Sequence, residues 1–180
     1  MPYSDKTIVV FGAGGGQGRG VVSALLKDSS TRWSVRAVVR DIDSDRSQQF
    51  LADYQTADNR LSIAAGTPYD PDFVREVLAG AYGVFGVTFE VLPGKVLVHE
   101  EETAHELEAG RNIVDALKPC GVKHFIWSSL PDMVHATSGR YPRIHHMNTK
   151  YITEIYARKH FENSTFLVPG QFRWLCFRWT

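Results

Sequence analysis

A glycine-rich segment follows the first apolar run of the chain and has the residue types that bind a phosphate. It reads Gly12-Ala13-Gly14-Gly15-Gly16-Gln17-Gly18. In the spacing GxxGxxG, Gly12 permits a tight turn, Gly15 lets a pyrophosphate approach, and Gly18 lets a helix pack closely. A flexible glycine loop could show the same spacing by chance. Its position between a buried strand and an amphipathic helix is what favours dinucleotide binding at the helix N-terminus.

The end of the second predicted strand indicates which dinucleotide would bind. The strand runs into Arg40 and Asp41. The guanidinium of Arg40 suits the 2′-phosphate of NADP(H), which is the cofactor we expect. Asp41 leaves NAD open, because an acidic side chain here accepts hydrogen bonds from the ribose 2′-hydroxyl. Arg40 could also be a solvated charge paired with Asp41 or Asp43.

Short apolar runs alternate with helical patterns and predict the elements that position these residues. Strands are predicted over Thr7–Phe11, Ser34–Val39, Leu61–Ala65, Tyr82–Thr88, His124–Ser128 and Ser164–Val168. Helices are predicted after the first strand, behind the capping-box pair Thr103 and Glu106, and over Asp72–Leu78 and Asn148–Lys159. This order predicts an α/β fold with a Rossmann-like, doubly wound, mainly parallel sheet. Functional residues are then expected where the strands end.

Composition argues against several other classes of protein. The 180 residues include 20 basic and 20 acidic side chains, a net charge of zero. Direct nucleic acid binding and attraction to an anionic membrane are therefore not expected. Without a run of about 18 apolar residues, a membrane span is not expected either. Cys120 and Cys176 could form one disulfide at most, which fits a cytoplasmic or nuclear protein.

Histidine and serine side chains offer further candidate chemistry. His99 and His105 lack the spacing of a helical zinc site, and His145 and His146 are adjacent, so no metal site is expected. Ser128 ends the fifth strand, where its hydroxyl either faces a cofactor or only terminates the strand.

Several segments together resemble the NmrA-like family of atypical short-chain dehydrogenases/reductases. The glycine loop resembles that family's nucleotide loop, and the strand end at Arg40 resembles its 2′-phosphate site. Three later segments resemble its fourth, fifth and sixth strands: residues 79–88 (AGAYGVFGVT), 123–132 (KHFIWSSLPD) and 164–172 (STFLVPGQF). Lys150 stands where the family has its lysine.

This resemblance implies an NADP(H) site and two alternative functions. The implied contacts are residues 12–17, Arg40, Thr88, Lys150, Gln171 and Phe172. The glycine spacing adds Gly18 to the expected cofactor site, and the strand-end position adds Ser128. One function is NADP-dependent oxidation or reduction of a small organic substrate. The other is non-catalytic sensing of NADP(H) by a regulator that binds a protein partner, such as a transcription factor. The family contains both.

Two features of the chain depart from the family and its relatives. Reductases of the wider superfamily commonly use Tyr-x-x-x-Lys, whereas His146 stands four residues before Lys150. In the catalytic hypothesis Lys150 orients the nicotinamide ribose, and His146 or a water supplies the proton. Residues 1–172 are the expected NAD(P)-binding domain, and 173–180 an atypical tail. The family's usual C-terminal substrate-binding part is expected to be absent.

Overall fold

A single six-stranded sheet organises the chain. The structure is a computed structural model that describes residues 6–89 and 104–170. Its elements are β1 (Lys6–Val10), α1 (Gly16–Lys27), β2 (Trp33–Val39), α2 (Asp45–Tyr54), β3 (Leu61–Ala65), α3 (Pro71–Leu78), β4 (Gly83–Gly86), α4 (Ala104–Leu117), β5 (His124–Ser128), α5 (Met133–Ala136), α6 (His145–His160) and β6 (Ser164–Leu167). Among these helices none is long and apolar enough to cross a membrane.

The strand order determines where a ligand can bind. The sheet runs β3-β2-β1-β4-β5-β6, and every neighbouring pair is parallel. The chain moves outward from β1 to β3 and then crosses back to place β4 on the other side of β1. Ligands of open parallel sheets bind at such a switch point, beyond the carboxyl ends of the strands. The predicted Rossmann-like, doubly wound fold is confirmed.

Helices cover both faces of the central strands, whose successive residues point to opposite faces. Val9, Val84 and Trp127 pack on one face with residues of α3, α4 and α6. Val10 and Phe85, their neighbours along the strands, pack on the other face with residues of α1 and α2. This double burial explains why the strands are almost continuously apolar in sequence.

Side-chain caps begin several of the helices. The Ser44 hydroxyl accepts a hydrogen bond from a backbone amide at the start of α2. The carboxylates of Asp70 and Asp132 each accept two such bonds, at the starts of α3 and α5. By contrast, α1 begins after Gly15, which has no side chain to offer. The amides of its first turn are therefore not capped by the preceding residue.

Some elements differ from the sequence expectation. Two helices, α2 and α5, were not predicted, because α2 buries only Ser47 and Phe50 and α5 buries none of its residues. The fourth strand ends at Gly86, two residues earlier than predicted. Helix α6 begins at His145, three residues earlier than predicted.

The packing of α1 on β1 yields a stability prediction. A Cβ at position 18 would overlap the Gly12 carbonyl oxygen and lie 2.6 Å from Ala13 Cα, whereas a Cβ at position 20 would meet nothing within 4 Å. Gly18→Ala should therefore lower the free energy of unfolding by about 1–3 kcal/mol, since backbone must move to admit the methyl group. Urea denaturation measures the change.

Gly20→Ala, in the same helix, is the matched control for that substitution. It should leave stability unchanged or raise it by about 0.5–1 kcal/mol, because alanine favours the helix. Equal effects of the two substitutions would contradict the close packing at position 18.

Candidate functional site

The glycine loop has the conformation that its spacing predicts. Gly12 has φ +65°, a left-handed conformation that glycine adopts without strain. The loop closes through a hydrogen bond from the Gly15 amide to the Gly12 carbonyl at 2.9 Å. Gly18 then passes directly beneath this turn, which is why a side chain at 18 does not fit. The three glycines thus bring the start of α1 against the end of β1.

Backbone amides line the groove above this loop. The Arg19 amide donates to the Gly15 carbonyl at 2.9 Å, the first bond of the helix. The amides of Gly16, Gln17 and Gly18 precede it and have no acceptor within α1. They border a groove of about 150 Å³ that is also lined by residues following β4. Free amides together with the helix dipole favour an anionic group here.

Phe89 forms the wall of the groove opposite α1. It lies three residues after β4 and is 54% exposed. Its ring atoms come within 3.2–3.3 Å of the positions that a Cβ on Gly12 or Gly15 would take. A side chain on Gly15 would therefore fill the space between the turn and this ring.

Two arginines lie near the loop on its β2 side. Arg40 is exposed immediately after β2. Arg46, in the first turn of α2, donates to the Gly14 carbonyl at 2.7 Å. Asp41 is held in its own turn, where its side chain accepts a bond from the Asp43 amide at 2.9 Å. Arg19 of α1 also donates to the Gly14 carbonyl, at 3.4 Å. Arg40, Arg46 and Arg19 therefore all contribute positive charge near the loop, and the sequence analysis identified only Arg40.

A buried ion pair lies at the end of β4 and brings two predicted residues together. The Lys150 ammonium donates to the Thr88 carbonyl at 2.9 Å and forms a close ion pair with Glu106. Glu106 is 1% exposed, and it also accepts a bond from the Thr88 hydroxyl at 2.7 Å. Lys150 and Thr88 are 62 residues apart in the chain, so only the fold makes them neighbours.

Two further side chains complete this cluster. The Thr149 hydroxyl donates to Glu106 Oε2 at 2.9 Å, with the His145 carbonyl as a second acceptor at the same distance. The Trp127 indole N–H donates to the Lys150 carbonyl at 3.0 Å, which ties α6 to β5. Every polar atom of the Glu106 carboxylate is therefore bonded, as burial of a charge requires.

The remaining predicted site residues lie as follows. Ser128 ends β5 and is buried, and Ala13 is buried beneath the glycine loop. His146 is exposed near the start of α6, one helical turn before Lys150, whose side chain is 12% exposed. Gln171 and Phe172 lie outside the described residues, as do Thr103 and the tail.

Glu106 has contacts that were not predicted. It was predicted to form a capping box with Thr103, which lies outside the described residues, and its carboxylate bonds Thr88, Thr149 and Lys150. The sequence held a signal for this role, because Glu106 precedes the buried Ile113 by seven residues and so shares its helix face. No comparable pattern marked Arg46 or Phe89, since neither belongs to an apolar stripe.

Tyr69 also lies near this cluster. Burial, and after it the negative charge of Glu106, raises the pKa of the Tyr69 phenol. The positive charge of Arg40 has the opposite, smaller effect and lowers the pKa of the same phenol. The Tyr69 ring lies 5.7 Å from the His105 ring, centroid to centroid. A neutral hydroxyl group therefore lies within electrostatic reach of both Arg40 and Glu106.

Residues 4–174 match the sequence profile of the NmrA-like family. The chain belongs to the NmrA-like family. The match includes the glycine loop, Arg40, Thr88 and Lys150. The sequence-based resemblance to this family is thus confirmed.

Two curated relatives of the NmrA-like family illustrate the match. An NmrA-like family domain-containing oxidoreductase of Aspergillus flavus is 32% identical over 96% of this chain and 48% of the relative. Another, from Cladobotryum sp, is 33% identical over 91% of this chain and 46% of the relative. This NmrA-like chain thus spans about half the length of the curated relatives it matches.

Solved structures share the fold of this NmrA-like chain. Triphenylmethane reductase of Citrobacter sp., complexed with NADP(H), superposes with a TM-score of 0.66 at 20% identity, over 92% of this chain and 50% of that one. An NADPH-dependent quinone oxidoreductase of Escherichia coli, complexed with NADPH, gives 0.66 at 20% identity, over 94% and 51%. At these identities the likeness establishes the fold.

The buried ion pair yields a second stability prediction. Lys150→Met removes the ammonium and leaves the Glu106 carboxylate buried without its counter-ion. We expect the free energy of unfolding to fall by about 3 kcal/mol. Arg75→Met is the control, because its pair with Asp72 on α3 is exposed and should cost less than about 1 kcal/mol. Similar losses for both variants, measured by urea denaturation, would mean that Glu106 does not depend on Lys150 for its burial.

Proposed function

We propose that the chain is the NADP(H)-binding part of an oxidoreductase that acts on a small organic substrate. The observation that carries the proposal is the glycine loop at the switch point, where it presents the amides of Gly16, Gln17 and Gly18 to a groove. Two further findings support it. The fungal relatives are named oxidoreductases, and the two structurally similar reductases were solved with NADP(H) or NADPH bound.

The groove fits the pyrophosphate of a dinucleotide. Gly15 leaves space between the turn and Phe89 that a Cβ would fill, at 3.3 Å from both the Gly12 carbonyl oxygen and the Phe89 ring. The amides that border this space carry the positive end of the α1 dipole. A phosphate would thus meet N–H donors on one side and an aromatic ring on the other.

Arg40 and Arg46 favour NADP(H) over NAD(H). Both side chains are exposed at the loop edge where the adenosine ribose of a bound dinucleotide would lie. A guanidinium binds phosphate oxygens through charge-assisted hydrogen bonds. Asp41, the acidic residue that left NAD open, has a side-chain oxygen occupied by the Asp43 amide.

The chemistry would take place beside Lys150. When bound, the nicotinamide supplies a hydride. Lys150 would bind a ribose hydroxyl and stabilise negative charge that develops on a substrate oxygen. The proton would come from His146 or from water, since the position four residues before Lys150 holds no tyrosine. His146 is exposed near the start of α6, one helical turn before Lys150.

The alternative function is a regulator that senses NADP(H) without turnover and binds a protein partner such as a transcription factor. The missing tyrosine favours it. Single-turnover assays of NADPH oxidation against a panel of carbonyl compounds and quinones distinguish the two. Consumption of NADPH above the rate without substrate supports the oxidoreductase, and binding without consumption supports the regulator.

Gly15→Val tests the assignment of the groove. The valine side chain would fill the space beside Phe89, so NADPH binding should fall by at least about a hundredfold, the equivalent of about 2.7 kcal/mol. Calorimetric titration measures the affinity, and circular dichroism shows that the fold persists. Gly20→Ala, one turn further along α1, should bind NADPH like the unmodified protein. Unchanged affinity in Gly15→Val would mean that the glycines only connect β1 to α1.

Substitution of the two arginines tests the cofactor preference. Arg40→Ala and Arg46→Ala should each weaken NADPH binding by about tenfold while leaving NADH binding unchanged, because each removes a contact to the 2′-phosphate. Arg32→Ala is the control, since Arg32 precedes the opposite end of the same strand, β2. If neither loop arginine alters the ratio of NADPH to NADH affinity, the 2′-phosphate does not bind at this edge.

A further inference from the structure

The Glu106 carboxylate occupies an unusual place for a residue in the first turn of a surface helix. It is 1% exposed and accepts hydrogen bonds from the side chains of Thr88, Thr149 and Lys150. These donors come from two different parts of the chain, the end of β4 and the second turn of α6. Glu106 therefore links the groove-forming end of β4 to the helix that carries Lys150.

The packing of α4 against α6 does not rest on this linkage alone. The two helices already pack closely at Gly110, where a Cβ would lie 2.6 Å from Thr153 Cγ2. A buried ion pair is also a weak source of stability, because apolar residues of similar size often replace one without loss. Packing alone therefore does not account for a glutamate at this position.

The bonds of the Lys150 ammonium indicate what the glutamate does. Within residues 6–89 and 104–170, the ammonium donates to the Thr88 carbonyl and to Glu106. An ammonium has three N–H donors, and these two partners in the described part of the chain account for two of them. Thr88 is followed directly by Phe89, the wall of the groove. Without Glu106, the flexible four-carbon stem of lysine would allow the charge to move away from this edge.

We infer that Glu106 is a positioning residue, which fixes the Lys150 ammonium against the end of β4 so that its third N–H meets an oxygen of the ligand in the groove. The ligand oxygen is a ribose hydroxyl or a substrate carbonyl, and this part of the inference rests on the proposed function. Glu106 itself does not contact the ligand.

Chemical labelling of Lys150 tests the inference without any cofactor. Acetic anhydride acylates free amines, and peptide mass spectrometry gives the rate at each lysine. An ammonium bonded to a buried carboxylate should react slowly. In Glu106→Gln the amide cannot balance the charge, and Lys150 should react about tenfold faster. An unchanged rate at Lys150 would overturn the inference.

Two variants keep this test valid if Glu106→Gln folds poorly. Thr149→Val removes the donor to Glu106 Oε2 but keeps both charges, and should raise the Lys150 rate by about threefold. Thr153→Val is the matched control. Thr153 is also buried and lies one turn later on α6, but its hydroxyl donates to the Thr149 carbonyl and not to Glu106. It should alter stability without altering the rate at Lys150. Equal rates in Thr149→Val and Thr153→Val would contradict the inference.

NADPH affinity provides the second readout. Glu106→Gln and Lys150→Met should each weaken binding by about tenfold, and the double variant should bind no more weakly than Lys150→Met, because Glu106 acts through Lys150. Additive losses, or normal binding in folded Glu106→Gln, would show that Glu106 does not position Lys150 for the ligand.

If the unmodified protein does not bind NADPH while the labelling behaves as expected, the proposed function is wrong and the positioning of Lys150 by Glu106 stands.

Discussion

The pairing of β1 with both β2 and β4 is the constraint on which the rest of the structure depends. Because β1 lies at the centre of a parallel sheet, apolar residues must cover both of its faces, and helices must return the chain each time. Two sets of helices result, with α1 and α2 on one face and α3, α4 and α6 on the other. All the strand ends then lie at one edge. The glycine loop and the end of β4 meet there because their strands are neighbours.

The candidate site combines two kinds of interaction at this edge. On the α1 side the proposed binding groups are backbone amides, which the conformation of Gly12 and the small size of Gly18 bring into place. On the α6 side the proposed binding group is the Lys150 ammonium, which a buried carboxylate holds. The first arrangement depends on a few consecutive residues. The second depends on α4 and α6 packing correctly, so it forms only when the whole sheet is assembled.

This difference explains how much could be predicted from the sequence. The fold class, the six strands and the glycine loop were predicted correctly, because apolar runs and glycine spacing are local patterns. Thr88 and Lys150 were named through the family resemblance, yet their contact with each other was not foreseen. The buried contacts of Glu106 were not predicted, because a charged residue in a first helical turn is ordinarily interpreted as a cap. Its partners are 18 and 44 residues away, a distance over which sequence pattern gives no contact information.

Arg46 and Glu106 illustrate two ways in which a charged side chain escapes sequence analysis. Arg46 lies in the first turn of α2, a helix that buries only Ser47 and Phe50, and its bond to the Gly14 carbonyl spans 32 residues. It is exposed, so nothing but proximity in the fold distinguishes it from other surface arginines. Glu106 is buried, and there a pattern did exist, because a charge on the apolar face of a helix must find partners when the helix packs. A charged residue that breaks an apolar stripe is therefore a better indicator of a functional cluster than a charged residue on an exposed face.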